Sequence, residues 1–316
     1  MKIVMLDRAT LGYDLDISEL DKCGDTVIYD RTLPEETVHR VKNADAVFLN
    51  KVKLTGEILA QCRNLKLICE AATGYDNIDI DFCRENGIAV CNVPGYSANS
   101  VSQVTVAMAL SLACRLGEYR RFTASGDYTK SGIQNRLTPV FHELNGKTWG
   151  IVGYGNIGSR VADAARALGC RVLAFKRRPV CGVECADIET VLSKSDVISV
   201  HLPLSCDTRN IIDKKRISMI KKNAIFINAS RGLVADEEAL CSAVKEGKLG
   251  GLGIDVYSEE PFRADSPYYE IKNFDNVCLT PHMAWGAYEA RERCFKIMLE
   301  NMKAFFGGEI KNRVEL

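Results

Sequence analysis

Three short stretches each place one reactive side chain just past an apolar run. Asn228-Ala229-Ser230-Arg231-Gly232 offers a guanidinium, Asp255-Val256-Tyr257-Ser258-Glu259-Glu260-Pro261 offers carboxylates, and Thr280-Pro281-His282 offers an imidazole. A guanidinium is a planar fork of donors suited to a carboxylate or a carbonyl oxygen. An imidazole exchanges protons near neutral pH, and a neighbouring carboxylate fixes its tautomer and favours its charged form. Taken singly, each has a plainer reading. A strand-end arginine is commonly a surface cation, and a Glu-Pro pair is commonly a turn. The order of the trio along the chain is what marks a site. The chain has four histidines. His39 falls on a polar helix face and His142 in a connecting stretch, whereas His201, just before Pro203, and His282 both end strands. Ligands bind at the carboxyl ends of strands in open α/β sheets, a rule that favours His201 and His282 equally.

A second motif supplies a partner for such chemistry. Gly153-Tyr154-Gly155-Asn156-Ile157-Gly158 follows an apolar strand at 147–153 and opens a helix at 157–168, and the next strand starts at Arg171. That is the dinucleotide fingerprint in the context it needs. Gly153 permits the tight turn, Gly155 lets the backbone approach a pyrophosphate, and Gly158 lets helix and strand pack closely. The helix N-terminus adds free N–H groups and partial positive charge. After the second strand, where an acidic residue would bond the ribose 2′-OH of NAD, the sequence reads Lys176-Arg177-Arg178. Three cations welcome a 2′-phosphate, so NADP(H) is the expected cofactor. NAD(H) held by backbone contacts beside a solvated basic turn is the alternative.

Positioning these residues requires two units. Short apolar runs at 2–7, 25–30, 44–50, 65–71 and 88–93 alternate with helical patterns at 17–23, 34–43, 55–62 and 78–86. A long, mostly apolar helical stretch covers 98–116, and an irregular connection with Gly132 and Pro139 covers 128–144. A second alternating series has strands at 147–153, 171–176, 196–203, 223–230, 249–256 and 276–281. Such alternation predicts parallel sheets covered on both faces, an α/β fold. The last helix, 287–306, has no strand after it and is expected to return to the first unit.

Several of these motifs, in this order and over nearly the whole length, resemble the D-isomer-specific 2-hydroxyacid dehydrogenase family. They are Ala72-Thr73-Gly74-Tyr75-Asp76-Asn77, Val93-Pro94-Gly95-Tyr96-Ser97, the glycine fingerprint, Asn228 to Gly232, Glu259-Glu260-Pro261 and Thr280-Pro281-His282. Cys91-Asn92 before Val93 and His282-Met283-Ala284-Trp285 are most similar to glycerate dehydrogenases, also called hydroxypyruvate reductases, within it. The resemblance implies two doubly wound parallel-sheet domains. One is a flavodoxin-like substrate domain at 1–98 plus 284–316, the other a Rossmann nucleotide-binding domain at 99–283. It places the catalytic roles on Arg231, Glu260 and His282. It puts Lys51, Thr73 and Gly74 at the substrate, with Ala229, Asp255, His201, Pro203, Arg231 and His282 beside the cofactor. The implied reaction is hydride transfer between NAD(P)H and a small 2-keto acid, giving a D-2-hydroxy acid. Hydroxypyruvate or glyoxylate is the first choice, and a lactate- or phenylpyruvate-type acid or a nucleotide-sensing binding protein is the alternative. The basic run departs from the family's commoner acidic residue and bears on the cofactor, not on the reaction. The family also implies a homodimer through the long apolar helix. The two chain crossings, near Ala98 and 283–286, are the expected hinges of a cleft that closes to exclude water.

Composition bounds the remainder. Of 316 residues, 47% are hydrophobic, and 41 basic residues balance 41 acidic ones, so no global field points to nucleic acid. The longest apolar stretch, 104–116, is short of the ~20 residues that cross a bilayer. The first residues turn acidic at Asp7, which does not read as a signal peptide. Thirteen cysteines, scattered and odd in number, suggest reduced thiols and a cytoplasmic setting, and no metal is expected.

Overall fold

The computed structural model describes residues 1–178 and 180–316. The chain divides into two compact units, Met1–Ser97 with Gly286–Leu316, and Ala98–Trp285.

The first unit is a five-stranded parallel sheet. Its elements run β1 (Lys2–Met5), β2 (Asp25–Ile28), α1 (Pro34–Val41), β3 (Ala46–Leu49), α2 (Gly56–Leu59), β4 (Leu67–Glu70), α3 (Ile80–Glu85) and β5 (Ala89–Cys91). The order across the sheet is β2-β1-β3-β4-β5, the flavodoxin-like arrangement. β3 and β4 are buried at every position, as central strands covered on both faces must be. The C-terminal helix, Tyr288–Phe306, packs against β4, where the Met298 carbonyl accepts from the Cys69 thiol at 3.8 Å. Residues 17–23 differ from expectation. They form a 3₁₀ helix, Ser18–Lys22, because five residues anchored by Leu20 alone give no continuous buried stripe.

The second unit begins with α4 (Ala98–Ala113), which buries Met108, Ala109 and Leu112. The expected single helix stops there. Arg115 turns left-handed (φ 55°), and α5 (Leu116–Ala124) leaves at 67° to α4. No single helix among the described residues is long and apolar enough to cross a membrane. A one-turn helix, α6 (Asp127–Ser131), precedes an irregular run to the sheet. Then follow β6 (Thr148–Val152), α7 (Asn156–Ala167), β7 (Arg171–Phe175), α8 (Ile188–Lys194), β8 (Val197–Val200), α9 (Lys214–Met219), β9 (Ile225–Asn228), α10 (Glu237–Lys245), β10 (Gly251–Ile254), α11 (Pro267–Ile271) and β11 (Val277–Leu279). Aspartates 187, 213 and 236 cap α8, α9 and α10 by accepting a backbone N–H.

The strand order is β11-β10-β9-β8-β6-β7, all parallel. Beyond β7 the third strand of a Rossmann half survives as a single bridge. Cys185 pairs with Ala174, bounded by hydrogen bonds of 2.9 and 3.0 Å. The chain therefore reverses direction between β6 and β8, the switch point where such sheets bind ligands. Glycines in β10 set the position of α4: a Cβ at Gly251 would lie 3.1 Å from Leu112, and one at Gly253 would lie 3.3 Å from Met108.

Candidate active site

The fingerprint turn leaves β6 at Gly153, whose φ of +104° suits glycine. A Cβ on Gly158 would sit 2.2 Å from the Gly153 carbonyl oxygen, so the start of α7 is pressed onto the turn. Gly155 is different. Its backbone is ordinary (φ −109°), and a Cβ there would meet nothing within 4 Å. One glycine keeps the helix close, and the other leaves the turn's outer face open to a pyrophosphate. Tyr154 and Ile157 pack against the core, while Asn156 is exposed at the helix start. The residues present thus fit a dinucleotide.

Lys176, Arg177 and Arg178 follow β7 and are exposed, and Arg177 reaches Asp207 at 3.5 Å. His201, after β8, turns its ring inward. The Trp149 indole N–H donates to Ser199 Oγ at 3.0 Å, and His201 Nε2 lies 2.9 Å from the same oxygen. Ser199 Oγ thus holds the indole and the imidazole together, a buried chain that fixes the ring's orientation. Burial pushes the His201 pKa down to about 3, so the ring is neutral. What His201 brings to the turn is backbone: a Cβ on Gly153 would lie 2.8 Å from its carbonyl. Pro203 is exposed, and its carbonyl accepts from the Thr208 hydroxyl at 2.5 Å.

Farther along the same carboxyl edge of the sheet, the loops after β9, β10 and β11 are tied together. His282 Nδ1 lies 2.6 Å from Glu260 Oε2, and Glu260 Oε1 accepts the Tyr257 N–H at 3.0 Å. His282 has φ +50°, a conformation that costs energy for a side chain with a Cβ and is held by its surroundings. Those surroundings centre on Asp255. Its buried carboxylate accepts from the Thr280 hydroxyl (2.6 Å), Met283 N–H (2.9 Å) and Ala284 N–H (3.0 Å), bracketing His282 on both sides. Burial raises the Asp255 pKa, and these three donors oppose the rise. The Tyr257 hydroxyl adds a bond to the Thr280 carbonyl at 2.9 Å.

Arg231 joins through backbone. Asn228 Oδ1 accepts from Ser230 N–H and Oγ, and its amide donates to the Arg231 carbonyl at 2.9 Å. A Cβ on Gly232 would fall 2.1 Å from the Tyr257 carbonyl carbon, so the arginine loop lies directly on the loop of Glu260. Ala229 is buried with Val101 and Ala284.

In the first unit, two loops are stapled together. Asp7 carboxylate oxygens accept the N–H groups of Asn50, Lys51 and Val52 at 2.6–3.3 Å. The Asn77 amide donates to the Val52 carbonyl and to Glu70 Oε2, both at 3.0 Å. Glu70 is fully buried, and burial raises its pKa well above the carboxylate range. The Thr73 hydroxyl donates to the Val93 carbonyl (2.9 Å), and its own carbonyl accepts from Asn92 (2.8 Å), which fixes Thr73 and Gly74. Lys51 lines a cavity of about 750 Å³ with Asp7, Thr10, Asp30 and Lys53.

Residues 106–284 match the family described as D-isomer specific 2-hydroxyacid dehydrogenase, NAD binding domain. The glycerate dehydrogenase of Methylorubrum extorquens is 37% identical over 99% of both chains. The chain belongs to the D-isomer specific 2-hydroxyacid dehydrogenase family. Among solved structures, an acyclic imino acid reductase in complex with NADPH and D-Arg superposes with a TM-score of 0.87 at 30% identity, covering 99% of this chain and 100% of that one. The D-lactate dehydrogenase from Aquifex aeolicus, complexed with NAD and lactic acid, gives 0.87 at 31% identity, covering 98% and 96%.

As a 2-hydroxyacid dehydrogenase, the chain is an oxidoreductase with a nicotinamide-nucleotide domain. Sequence reasoning missed the groups beneath its reactive ones. Asp7, Glu70 and Asn77 hold the first-unit loops, and Trp149 with Ser199 holds His201. Asp7 and Glu70 end apolar runs, the one available signal, but nothing in the sequence distinguishes a buried strand-end carboxyl from a solvated one. Among the described residues no group of three or more His, Cys, Asp or Glu side chains is arranged to hold a metal.

Proposed function

We propose that this dehydrogenase reduces a small 2-keto acid, with hydroxypyruvate or glyoxylate preferred, to the D-2-hydroxy acid, using NADP(H) in preference to NAD(H). The observation that carries the reading is the 2.6 Å contact of His282 with Glu260 on loops clamped by Asp255. Nδ1 faces the carboxylate, so Nε2 is the nitrogen left to give a proton to the substrate's new alkoxide oxygen. Glu260 fixes the tautomer and orientation of the imidazole. Arg231 holds the substrate carboxylate and polarises the carbonyl. On the first unit, Lys51 and the backbone of Thr73 and Gly74 are the donors suited to a carboxylate. The nicotinamide, when bound, supplies the hydride. Gly153 to Gly158 and the start of α7 hold the pyrophosphate, beside the backbone of His201 and Pro203. Lys176, Arg177 and Arg178 receive the 2′-phosphate, while Ala229, Asp255, Arg231 and His282 border the nicotinamide end.

The preference for hydroxypyruvate rests on likeness to a glycerate dehydrogenase, since glycerate oxidised at C2 is hydroxypyruvate. Likeness to a D-lactate dehydrogenase favours pyruvate as the second reading. The test is a panel of 2-keto acids with each cofactor, followed by loss of absorbance at the reduced nicotinamide band. Hydroxypyruvate or glyoxylate should give the highest kcat/KM, and NADPH should exceed NADH. Equal or better use of NADH overturns the cofactor assignment, and tight nucleotide binding without turnover would favour a sensing protein.

We further infer a homodimer, though not through α4, whose apolar face is already buried. Leu116, Ile133, Leu137, Val140 and Phe141, all within 116–141, are each at least half exposed, apolar surface that a second copy would cover. Thirteen thiols, none in a disulfide, suit a reducing, cytoplasmic compartment.

A further inference from the structure

β7 and β8 flank β6, so the loops after them rise on either side of the fingerprint turn. One side chain from each meets the other. Arg177 Nη1, from the basic run, lies 3.5 Å from Asp207 Oδ2, from the loop after β8. Asp207 is not adrift on that loop. Buried Thr208 accepts the Ser205 N–H at 2.8 Å and donates to the Pro203 carbonyl at 2.5 Å, and Arg209 N–H closes the turn on the Ser205 carbonyl at 2.9 Å. The turn fixes where the carboxylate is presented, whereas the arginine is long and exposed. Asp207 has one further contact, an acceptor bond from Cys206 Sγ at 3.7 Å.

An anionic carboxylate and a 2′-phosphate make the same demand on a guanidinium. We propose that Asp207 sets the degree of cofactor selectivity by competing with the 2′-phosphate of NADP(H) for Arg177. This rests on the assignment of the basic run to that phosphate. Asp207 restrains the preference that Lys176, Arg177 and Arg178 create, and keeps the groove from holding NADP(H) at maximal strength. Both partners are exposed, so the restraint is modest and weakens with salt.

The test is direct binding of NADPH and NADH to the whole protein, read by nucleotide fluorescence, for the parent, Asp207→Asn, Arg177→Gln and the double variant. Thr208 carries the turn, so Asp207→Asn should fold normally, which thermal unfolding checks. D207N should tighten NADPH about threefold at low salt, affect NADH less, and lose its effect at high salt. R177Q should weaken NADPH, and D207N should then add nothing in that background. If D207N tightens NADPH as much without Arg177 as with it, the competition is refuted. If R177Q weakens NADPH while D207N changes neither nucleotide, this inference fails and the cofactor assignment stands. If R177Q leaves NADPH binding unaltered, the assignment of Arg177 to the phosphate fails, and the inference with it.

Discussion

Along the carboxyl edge of the second unit's sheet, the two ends of the row of loops are built on opposite principles. After β9 to β11, His282 and Glu260 are 21% and 32% exposed and are fixed through Asp255, Tyr257 and Asn228. After β7 and β8, Arg177 and Asp207 are 80% and 70% exposed and share one long ion pair. A proton passed to a defined oxygen needs a group fixed within a fraction of an ångström, whereas a phosphate is recognised by charge that reaches it from several directions. Changes at the first end should therefore be severe and specific to turnover, and those at the second graded and specific to binding.

The largest loss outside His282 should come from Arg231→Lys. It keeps the charge but not the planar fork, and kcat/KM for 2-keto acids should drop on the order of 10²-fold. A drop below threefold would mean that charge alone suffices at the rigid end too. The fingerprint glycines provide an internal control. Gly155→Ala has room for its methyl group, so it should unfold like the parent yet bind either nucleotide at least ~10-fold more weakly, because the cradle is filled. Gly158→Ala must displace the Gly153 carbonyl and should lower stability by about 1–3 kcal/mol. Unfolding curves and nucleotide titrations separate the two, and normal nucleotide binding by G155A would remove the pyrophosphate from that turn. At the exposed end, Lys176→Asp should shift the NADPH/NADH efficiency ratio by about tenfold toward NADH.

A pH-dependent effect away from both ends concerns His201. Its folded pKa, about 3, lies below the ordinary 6.5, so between those values the unfolded chain binds a proton that the folded chain refuses. Stability should therefore fall as pH drops through that window. Denaturant midpoints for His201→Asn should show a shallower acid slope than the parent, and an unchanged slope would mean that the ring is not the source.

Much of this was legible in the sequence. Each strand among the described residues falls within an expected run, and the central ones are nearly continuously apolar because a parallel sheet buried on both faces demands it. The fingerprint could be read because its glycines answer to backbone geometry. That Glu260 and His282 share a site was legible from their places at successive strand ends, and the family resemblance gave their roles; the contact itself was not, since residues 22 apart give no local signal. The bridge at Cys185 escaped because one residue has no periodicity. The break at Arg115 escaped because the apolar run continues through it, and the Ser18–Lys22 turn because a short amphipathic stretch reads alike as α or 3₁₀. His201 stood level with His282 in sequence, and burial separates them: one ring is locked neutral against Ser199, the other held at the surface by a carboxylate.

The most direct test of the account is hydroxypyruvate-dependent oxidation of NADPH by His282→Ala, measured beside its dissociation constant for NADPH. General acid catalysis of this kind is worth ~10²–10⁴-fold, so turnover should fall by that factor while nucleotide affinity stays within about twofold. Turnover within tenfold of the parent, at equal nucleotide affinity, would contradict the assignment of the proton to His282.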